Sequence, residues 1–248
     1  MILEIDYGNT RLKWRLLNSD ALVCVARGTV KELRELIPSL QGAGCVSINF
    51  CRACSVRSCA DNDSLASLVS GAYGVAIEYA QSGASLGGVV NGYIDTSKLG
   101  VDRWLAIVAA YAQIKGPCLV IDCGTAITVD YVSACGVHMG GCIAPGFQQM
   151  AGMLKNSTQL RVDVSSVGSA THACLAKDTK AAVCSGVSAM VLGFIKEQLL
   201  CAQAQWGASF AVVCAGGDSY FVRDVVPEAV IVEDLVFAGL AIACPYVG

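Results

Sequence analysis

A near-repeat constrains this chain more than any other feature. Residues 5–14 read IDYGNTRLKW and residues 121–130 read IDCGTAITVD. Each copy closes a short apolar run on an aspartate, Asp6 or Asp122, then turns through Gly8 or Gly124. A second strand-like run follows in both, at 13–17 and at 127–132. An apolar run, a glycine turn and a return run together specify a strand–turn–strand unit. The copies start 121 − 5 = 116 residues apart, nearly half of the 248-residue chain. One unit used twice at that distance predicts an α/β chain built from two similar halves. Residues 102–114 (DRWLAIVAAYAQI) carry a helical apolar face of Trp104, Ile107, Val108 and Tyr111. Lys115-Gly116-Pro117 ends that helix, so the expected halves are 1–115 and 116–248. Further helices are expected over 31–40, 62–73, 185–205 and 234–244, and strands over 46–50, 74–80 and 210–214.

Composition excludes several classes. Charged residues are 15% and hydrophobic residues 54%, which is far from a disordered chain. The net charge of −3 has no basic block, so no nucleic-acid footprint is expected. The uncharged run over 132–154 is interrupted by glycines, Pro145, Gln148 and Gln149 and does not read as a membrane span. Glu4 and Asp6 stand where an export signal would be basic and then apolar, so a soluble cytoplasmic protein is expected. The 14 cysteines lie mostly in apolar runs, where a free thiol behaves as a small hydrophobe. Cys51, Cys54 and Cys59 form the one cluster. Residues three apart on a strand face opposite ways, and no second CxxC follows, so reduced structural thiols are the expectation.

The repeated turn has chemical content. A carboxylate at the end of a buried strand can hold a divalent ion, often through water. Glycine admits close backbone approach, and Asn9, Thr10 and Thr125 with the turn N–H groups suit phosphate oxygens. Lys13, on the return strand, places an ammonium within reach of the same phosphates. Taken alone, DxGN is a common turn; the pair of DxGNT and DxGTA is what points to phosphate. Ala215-Gly216-Gly217-Asp218 follows an apolar run and offers bare backbone for a planar ring. Neither GxxxxGK[ST] nor GxGxxG occurs, which excludes P-loop and Rossmann sites. Asp102 and Arg103 fall in the first turn of an apolar helix, where a carboxylate suits the dipole. They read equally as a capping pair with a solvated arginine. His138 and His172 have no triad-like partners and read as structural.

DxGNTxxK, DxGTA and GGD, in that order, resemble the acetate kinase, sugar kinase, Hsp70 and actin superfamily. Within it the chain resembles the type III pantothenate kinases. The further motifs are Asn91-Gly92-Tyr93, Gly100-Val101-Asp102-Arg103-Trp104, residues 140–146 (GGCIAPG) and residues 234–240 (DLVFAGL), so the resemblance spans residues 2 to 245. It implies an actin-like ATPase fold of two ribonuclease H-like halves, mixed sheets flanked by helices. It implies ATP-dependent phosphorylation of pantothenate, the first step of coenzyme A synthesis, with ATP and Mg²⁺ between the halves. The nucleotide would be held by Asp6, Tyr7, Gly8, Asn9, Thr10, Arg11, Leu12, Lys13, Thr125, Gly216 and Gly217. Pantothenate would meet Tyr93, Gly100, Val101, Asp102 as general base, Arg103 on its carboxylate, and Thr179, with Thr171 as a rival for that last place. Asp122 would hold K⁺ or NH₄⁺, and Asp6 would hold Mg²⁺ through water. A homodimer is also implied, with the helix over 185–205 as a candidate shared surface; from its residues that helix reads equally as one buried within its own half. Three departures from the family pattern are Cys123, Ala215 before the glycine pair, and Ala144 before Pro145. The rival reading is a regulatory protein on the same scaffold, similar to the Bvg accessory factors; the intact set Asp6, Lys13, Asp102, Arg103 and Asp122 weighs against it.

Overall fold

The computed structural model describes residues 1–157 and 175–247. Its elements run β1 (Ile2–Tyr7), β2 (Leu12–Leu17), β3 (Cys24–Val30), α1 (Leu36–Gly42), β4 (Phe50–Ser55), α2 (Cys59–Tyr73), β5 (Ile77–Tyr79), β6 (Ser85–Leu86), β7 (Val89–Val90) and α3 (Val101–Ile114). They continue with β8 (Cys118–Cys123), β9 (Ala126–Val132), β10 (His138–Pro145), α4 (Phe147–Ser157), α5 (Thr179–Trp206), β11 (Ala211–Ala215), α6 (Tyr220–Val225), β12 (Val230–Ile231) and α7 (Leu235–Ala243). Two compact units result: Met1–Ala112 with Asp234–Gly248, and Gln113–Glu233. The expected division at 115–117 differs from this in one respect that matters. The last fifteen residues join the first unit, because α7 packs on β1 and β4.

The near-repeat is realised as a repeated sheet. The first unit orders its strands β3-β2-β1-β4-β5 and the second β10-β9-β8-β11-β12. In each, the central strand pairs antiparallel with the hairpin that follows it and parallel with a strand beyond. The two hairpins differ by one residue. Tyr7 faces Leu12 across the first turn, whereas Cys123 faces Ile127 across the second. The register therefore sets Asp6 opposite Lys13 but Asp122 opposite Thr128. The ammonium of the first unit is replaced by a hydroxyl in the second.

Alternation along the strands assigns each sheet two faces. In the first unit Leu3, Ile5, Trp14, Cys51 and Ala53 pack against Leu36 and Leu40 of α1 and Leu65 and Val69 of α2. In the second, Leu119, Ile121, Ile127 and Val129 meet Phe147 of α4, Val187, Val191 and Ile195 of α5, and Phe221 of α6. Helix α5 is long and apolar enough to cross a membrane by length and composition, but those three residues are committed to the core. It also begins earlier than its apolar pattern suggests, since Asp178 caps it by accepting a bond from the Ala181 N–H at 2.9 Å. Strand β10 carries Gly140, Gly141 and Pro145, turn-like residues that an edge strand tolerates. Cys51 and Cys54 do face opposite ways on β4, and every described cysteine is a free thiol.

The other face of the first sheet is charged. Register aligns Arg27, Arg15, Glu4, Arg52 and Glu78 in one row across β3, β2, β1, β4 and β5. Glu4 is 0% exposed and Arg52 3%. The Glu4 carboxylate accepts from Arg15 Nε on one side and from Arg52 Nε (2.8 Å) and Nη2 (2.5 Å) on the other. The row also clamps both ends of α7. Arg15 and Arg27 reach the Asp234 carboxylate at 3.1 and 3.3 Å, and Arg52 Nη1 donates to the Cys244 carbonyl at 2.6 Å. Removing one partner of such a buried network strands the others. Glu4→Gln should therefore cost about 3–5 kcal/mol, the scale for breaking a buried pair. Urea denaturation measures it, and wild-type stability in that variant would show the row to be dispensable.

Candidate active site

In the first unit, β1 delivers Asp6 to the end of the sheet, and its carboxylate lies 3.8 Å from the Lys13 ammonium across the hairpin. The turn between them is closed by the Gly8 N–H donating to the Arg11 carbonyl at 3.1 Å. Asn9, Thr10 and Arg11 are exposed on it. Leu12 is different: its side chain is buried in the core, so only its backbone remains available to a ligand.

Helix α3 supplies the second cluster. Gly100 precedes it, and a Cβ there would come 2.8 Å from Asp102 Oδ1, so glycine leaves room for the carboxylate. That same oxygen accepts the Arg103 N–H at 2.8 Å, and Val101 packs partly into the apolar cluster beneath. The alternative reading of a capping pair with a solvated arginine does not hold for Arg103. Arg103 is 7% exposed, and its Nη1 donates to the Tyr93 hydroxyl at 2.8 Å. Tyr93 is fixed in turn by Asn91, whose side-chain oxygen accepts the Tyr93 N–H at 3.0 Å. Asn91 also donates to the Gly83 and Thr96 carbonyls. The sequence motif named Asn91, but its work as the anchor of the loop is visible only in the fold.

The two clusters are linked through Cys54. Register sets it opposite Asp6, and it is fully buried. Burial first, and then the charges of Asp6 and Asp102, push its thiol well above the ordinary range. Cys54 also packs in one apolar cluster with Leu105 of α3, with Val101 at its edge, so β4 links the strand that carries Asp6 to the helix that carries Asp102. Sequence reasoning missed one residue nearby, Arg57, whose Nη1 donates to the Asn9 carbonyl at 3.2 Å. No periodicity or motif marks it, because it is placed only by the parallel pairing of β4 with β1.

In the second unit, Asp122 ends β8 and the Gly124 N–H donates to the Ala126 carbonyl at 3.0 Å, with Thr125 exposed on the turn. Two glycines pack against that turn. A Cβ on Gly146 would meet the Gly124 and Thr125 carbonyls, and one on Gly216 would sit 2.6 Å from Asp122 Oδ1 as well as against the Cys123 carbonyl. Gly216 also has φ +92°, a left-handed conformation that favours glycine. The Asp218 N–H then donates to the Cys123 carbonyl at 3.0 Å, tying the Gly216-Gly217 turn to the end of β8. The Cys123 thiol is pushed up by a hydrogen bond with Cys214 and by burial. Thr179 is the first residue of α5 and exposed, rather than preceding the helix. Thr171 and His172 lie outside the described residues. His138 has a partner the sequence did not reveal: its Nε2 is 2.9 Å from the buried Asp130 carboxylate on β9.

The donor chemistry fits a hard cation brought in with phosphate. Asp6 and Asp122 are partly buried carboxylates at turn ends, and no group of three or more His, Cys, Asp or Glu able to hold a metal occurs among the described residues. Mg²⁺ commonly uses one or two carboxylates with waters and phosphates instead of a closed protein cage.

Burial raises the Asp218 carboxyl above its ordinary value of 3.8. The folded protein therefore holds a proton there that the unfolded chain has released, so stability falls as pH rises from 3.8 through the raised value. Asp218→Asn should flatten that fall and raise the melting temperature at neutral pH. Thermal melts across pH give the comparison, and an unchanged profile would contradict the assignment.

A family model described as type III pantothenate kinase matches residues 2–200. A type III pantothenate kinase of Pseudomonas fluorescens (strain Pf0-1) is 41% identical over 247 residues, 99% of both chains. One of Ectopseudomonas mendocina is 42% identical with the same coverage. Among solved structures, a Campylobacter jejuni protein described as a Baf family transcriptional activator aligns with TM-score 0.61 at 19% identity, covering 96% of this chain and 94% of that one. A Sinorhizobium meliloti protein described as a 2-dehydro-3-deoxygalactonokinase aligns with TM-score 0.59 at 12% identity, covering 99% and 100%. At those identities the likeness is one of fold, the actin-like ATPase fold of mixed sheets flanked by helices.

Proposed function

The chain belongs to the type III pantothenate kinase family, and from that premise we propose that it transfers the γ-phosphoryl group of ATP to the primary hydroxyl of pantothenate. The observation that carries this reading is that Cys54 on β4 stands opposite Asp6 on β1 and packs with Leu105 and Val101 of α3, the helix that carries Asp102. It ties the strand before the proposed phosphate turn to the helix of the proposed acceptor side, within the first unit. Phosphoryl transfer depends mainly on alignment and charge neutralisation, so the protein's task is to hold two substrates in line.

Each residue then has a part. The turn Tyr7-Gly8-Asn9-Thr10-Arg11 and the Leu12 backbone cradle the ATP phosphates, with Lys13 neutralising the charge that moves. Thr125 adds a hydroxyl from the second turn, and Gly216 and Gly217 offer bare backbone to the adenosine. Asp102 orients the pantothenate hydroxyl and accepts its proton as the new P–O bond forms. Arg103, already aimed at the Tyr93 hydroxyl, has donors suited to a carboxylate. Gly100 and Val101 shape the floor of that pocket, and Thr179 is the candidate from α5. Asp6 would hold Mg²⁺ through water and Asp122 a K⁺ or NH₄⁺ ion; bound there, the cations would neutralise phosphate charge. A cytoplasmic homodimer without nucleic-acid or membrane partners completes the proposal.

A coupled ADP-release assay with pantothenate, ATP and Mg²⁺, run in K⁺ and then in Na⁺, tests it. Turnover should require pantothenate and be higher in K⁺. Asp102→Asn should lower turnover by roughly 10² to 10⁴ with the fold intact, the scale of a lost general base. Wild-type turnover in that variant would refute the base assignment. Folded protein that makes no pantothenate-dependent ADP would favour the regulatory reading.

A further inference from the structure

The turn proposed to hold the ATP phosphates is braced from behind by a residue outside every motif. Arg57 follows β4, and its guanidinium meets three separate pieces of the first unit. Nη1 donates to the Asn9 carbonyl at 3.2 Å, the fork lies 5.3 Å from the Tyr7 ring centroid, and Nε is 3.2 Å from the Asp61 carboxylate. The segment that carries Arg57 is itself fixed. The Val56 N–H donates to the Tyr7 carbonyl at 3.2 Å, the Arg57 N–H to Ser55 Oγ at 3.2 Å, and Ser55 Oγ is 2.6 Å from Asn62 Oδ1 on α2.

A surface ion pair one helical turn apart would need only Asp61. The additional bond to Asn9 and the stacking on Tyr7 belong to the residues on either side of Gly8. We propose that Arg57 is a positioning residue for the phosphate turn. The inference rests on the reading of that turn as the ATP phosphate site. A trans peptide points its C=O and the next N–H in opposite directions. Holding the Asn9 carbonyl on Arg57 therefore turns the Thr10 N–H away from Arg57, and the Gly8 to Arg11 bond fixes the rest of the loop. The loop is set before nucleotide arrives, which lowers the ordering cost of binding. Asp61 and Tyr7 keep the guanidinium aligned. The Asp61 carboxyl is held below its ordinary value, first by its Ser58 hydrogen bond and then by Arg57, so it stays charged at neutral pH.

The test separates this role from a general loss of structure. Arg57→Ala, Arg57→Lys and the native protein would be compared by steady-state kinetics, with ATP and pantothenate varied in turn. Binding of a non-hydrolysable ATP analogue would be measured by calorimetry. Arg57→Ala should raise the ATP KM and the analogue Kd about tenfold, the scale of one lost charge-assisted hydrogen bond. Its pantothenate KM should stay near native. Arg57→Lys, which restores one donor without the planar fork, should recover part of the loss. An unchanged ATP KM and Kd in Arg57→Ala would overturn the proposal. So would a parallel rise in both KM values, which marks a general disturbance of the site and not an effect on the phosphate turn. If the native protein shows no pantothenate-dependent turnover, the kinase reading fails, while the calorimetric comparison still decides the role of Arg57.

Discussion

Glu4 is a carboxylate with no access to water, held between two arginines in the middle of a sheet. A buried charge persists only where partners and hydrogen bonds replace its lost hydration. Here the replacement extends beyond a pair. Three guanidiniums, from Arg27, Arg15 and Arg52, are set against the carboxylates of Glu4 and Asp234, with Glu78 next in the row. Two consequences follow from that row. Glu4 is two residues before Asp6 on the same face of β1, so the row fixes the strand that presents Asp6. It also fixes α7, through the Asp234 carboxylate at one end and the Cys244 carbonyl at the other.

Helix α7 passes that constraint on. A Cβ at Gly239 would collide with the Leu105 carbonyl, so α7 and α3 approach as closely as two backbones allow. Leu105, Phe237, Leu240 and Cys54 form one apolar cluster there, with Val101 at its edge. The first turn of α3, with Asp102 and Arg103, is thus referred to the same sheet that carries Asp6. Interiors are close-packed and transmit displacements, so a shift in α7 reaches both clusters. This accounts physically for the closing motif at residues 234–240, which contains no group that touches a substrate in the proposed reaction.

Much of this was legible in the sequence, and the limits have physical causes. The two hairpins, helix α3 and the Asp6 and Asp122 positions were readable because each strand ends on a carboxylate beside a glycine turn, and both copies do so. Register was not readable. A fixed spacing of 116 residues pairs Lys13 with Val129, and only the shorter second turn puts Thr128 in that place. Strand β10 was concealed by Gly140, Gly141 and Pro145, which read as turns unless the strand is known to lie at an edge. The burial of Arg103, the Asp130 partner of His138 and the role of Arg57 were hidden for one reason. Each depends on which distant residue the fold brings alongside, and single-chain patterns carry no such information. The repeated turns pointed to phosphate, but the particular acceptor came from the motifs around Tyr93 and Asp102 through their resemblance to a family.

The central claim is that the Asp6 turn and the Asp102 helix, linked through β4, serve one transfer, from ATP to the hydroxyl of pantothenate. The most direct test follows the phosphoryl group itself. The protein would be incubated with pantothenate, Mg²⁺, K⁺ and ATP labelled with ¹⁸O in its γ-phosphoryl group, and the products resolved by mass spectrometry. The account predicts labelled phosphopantothenate formed in step with ADP. Label found only in inorganic phosphate, or ATP left intact by the folded protein, would contradict it.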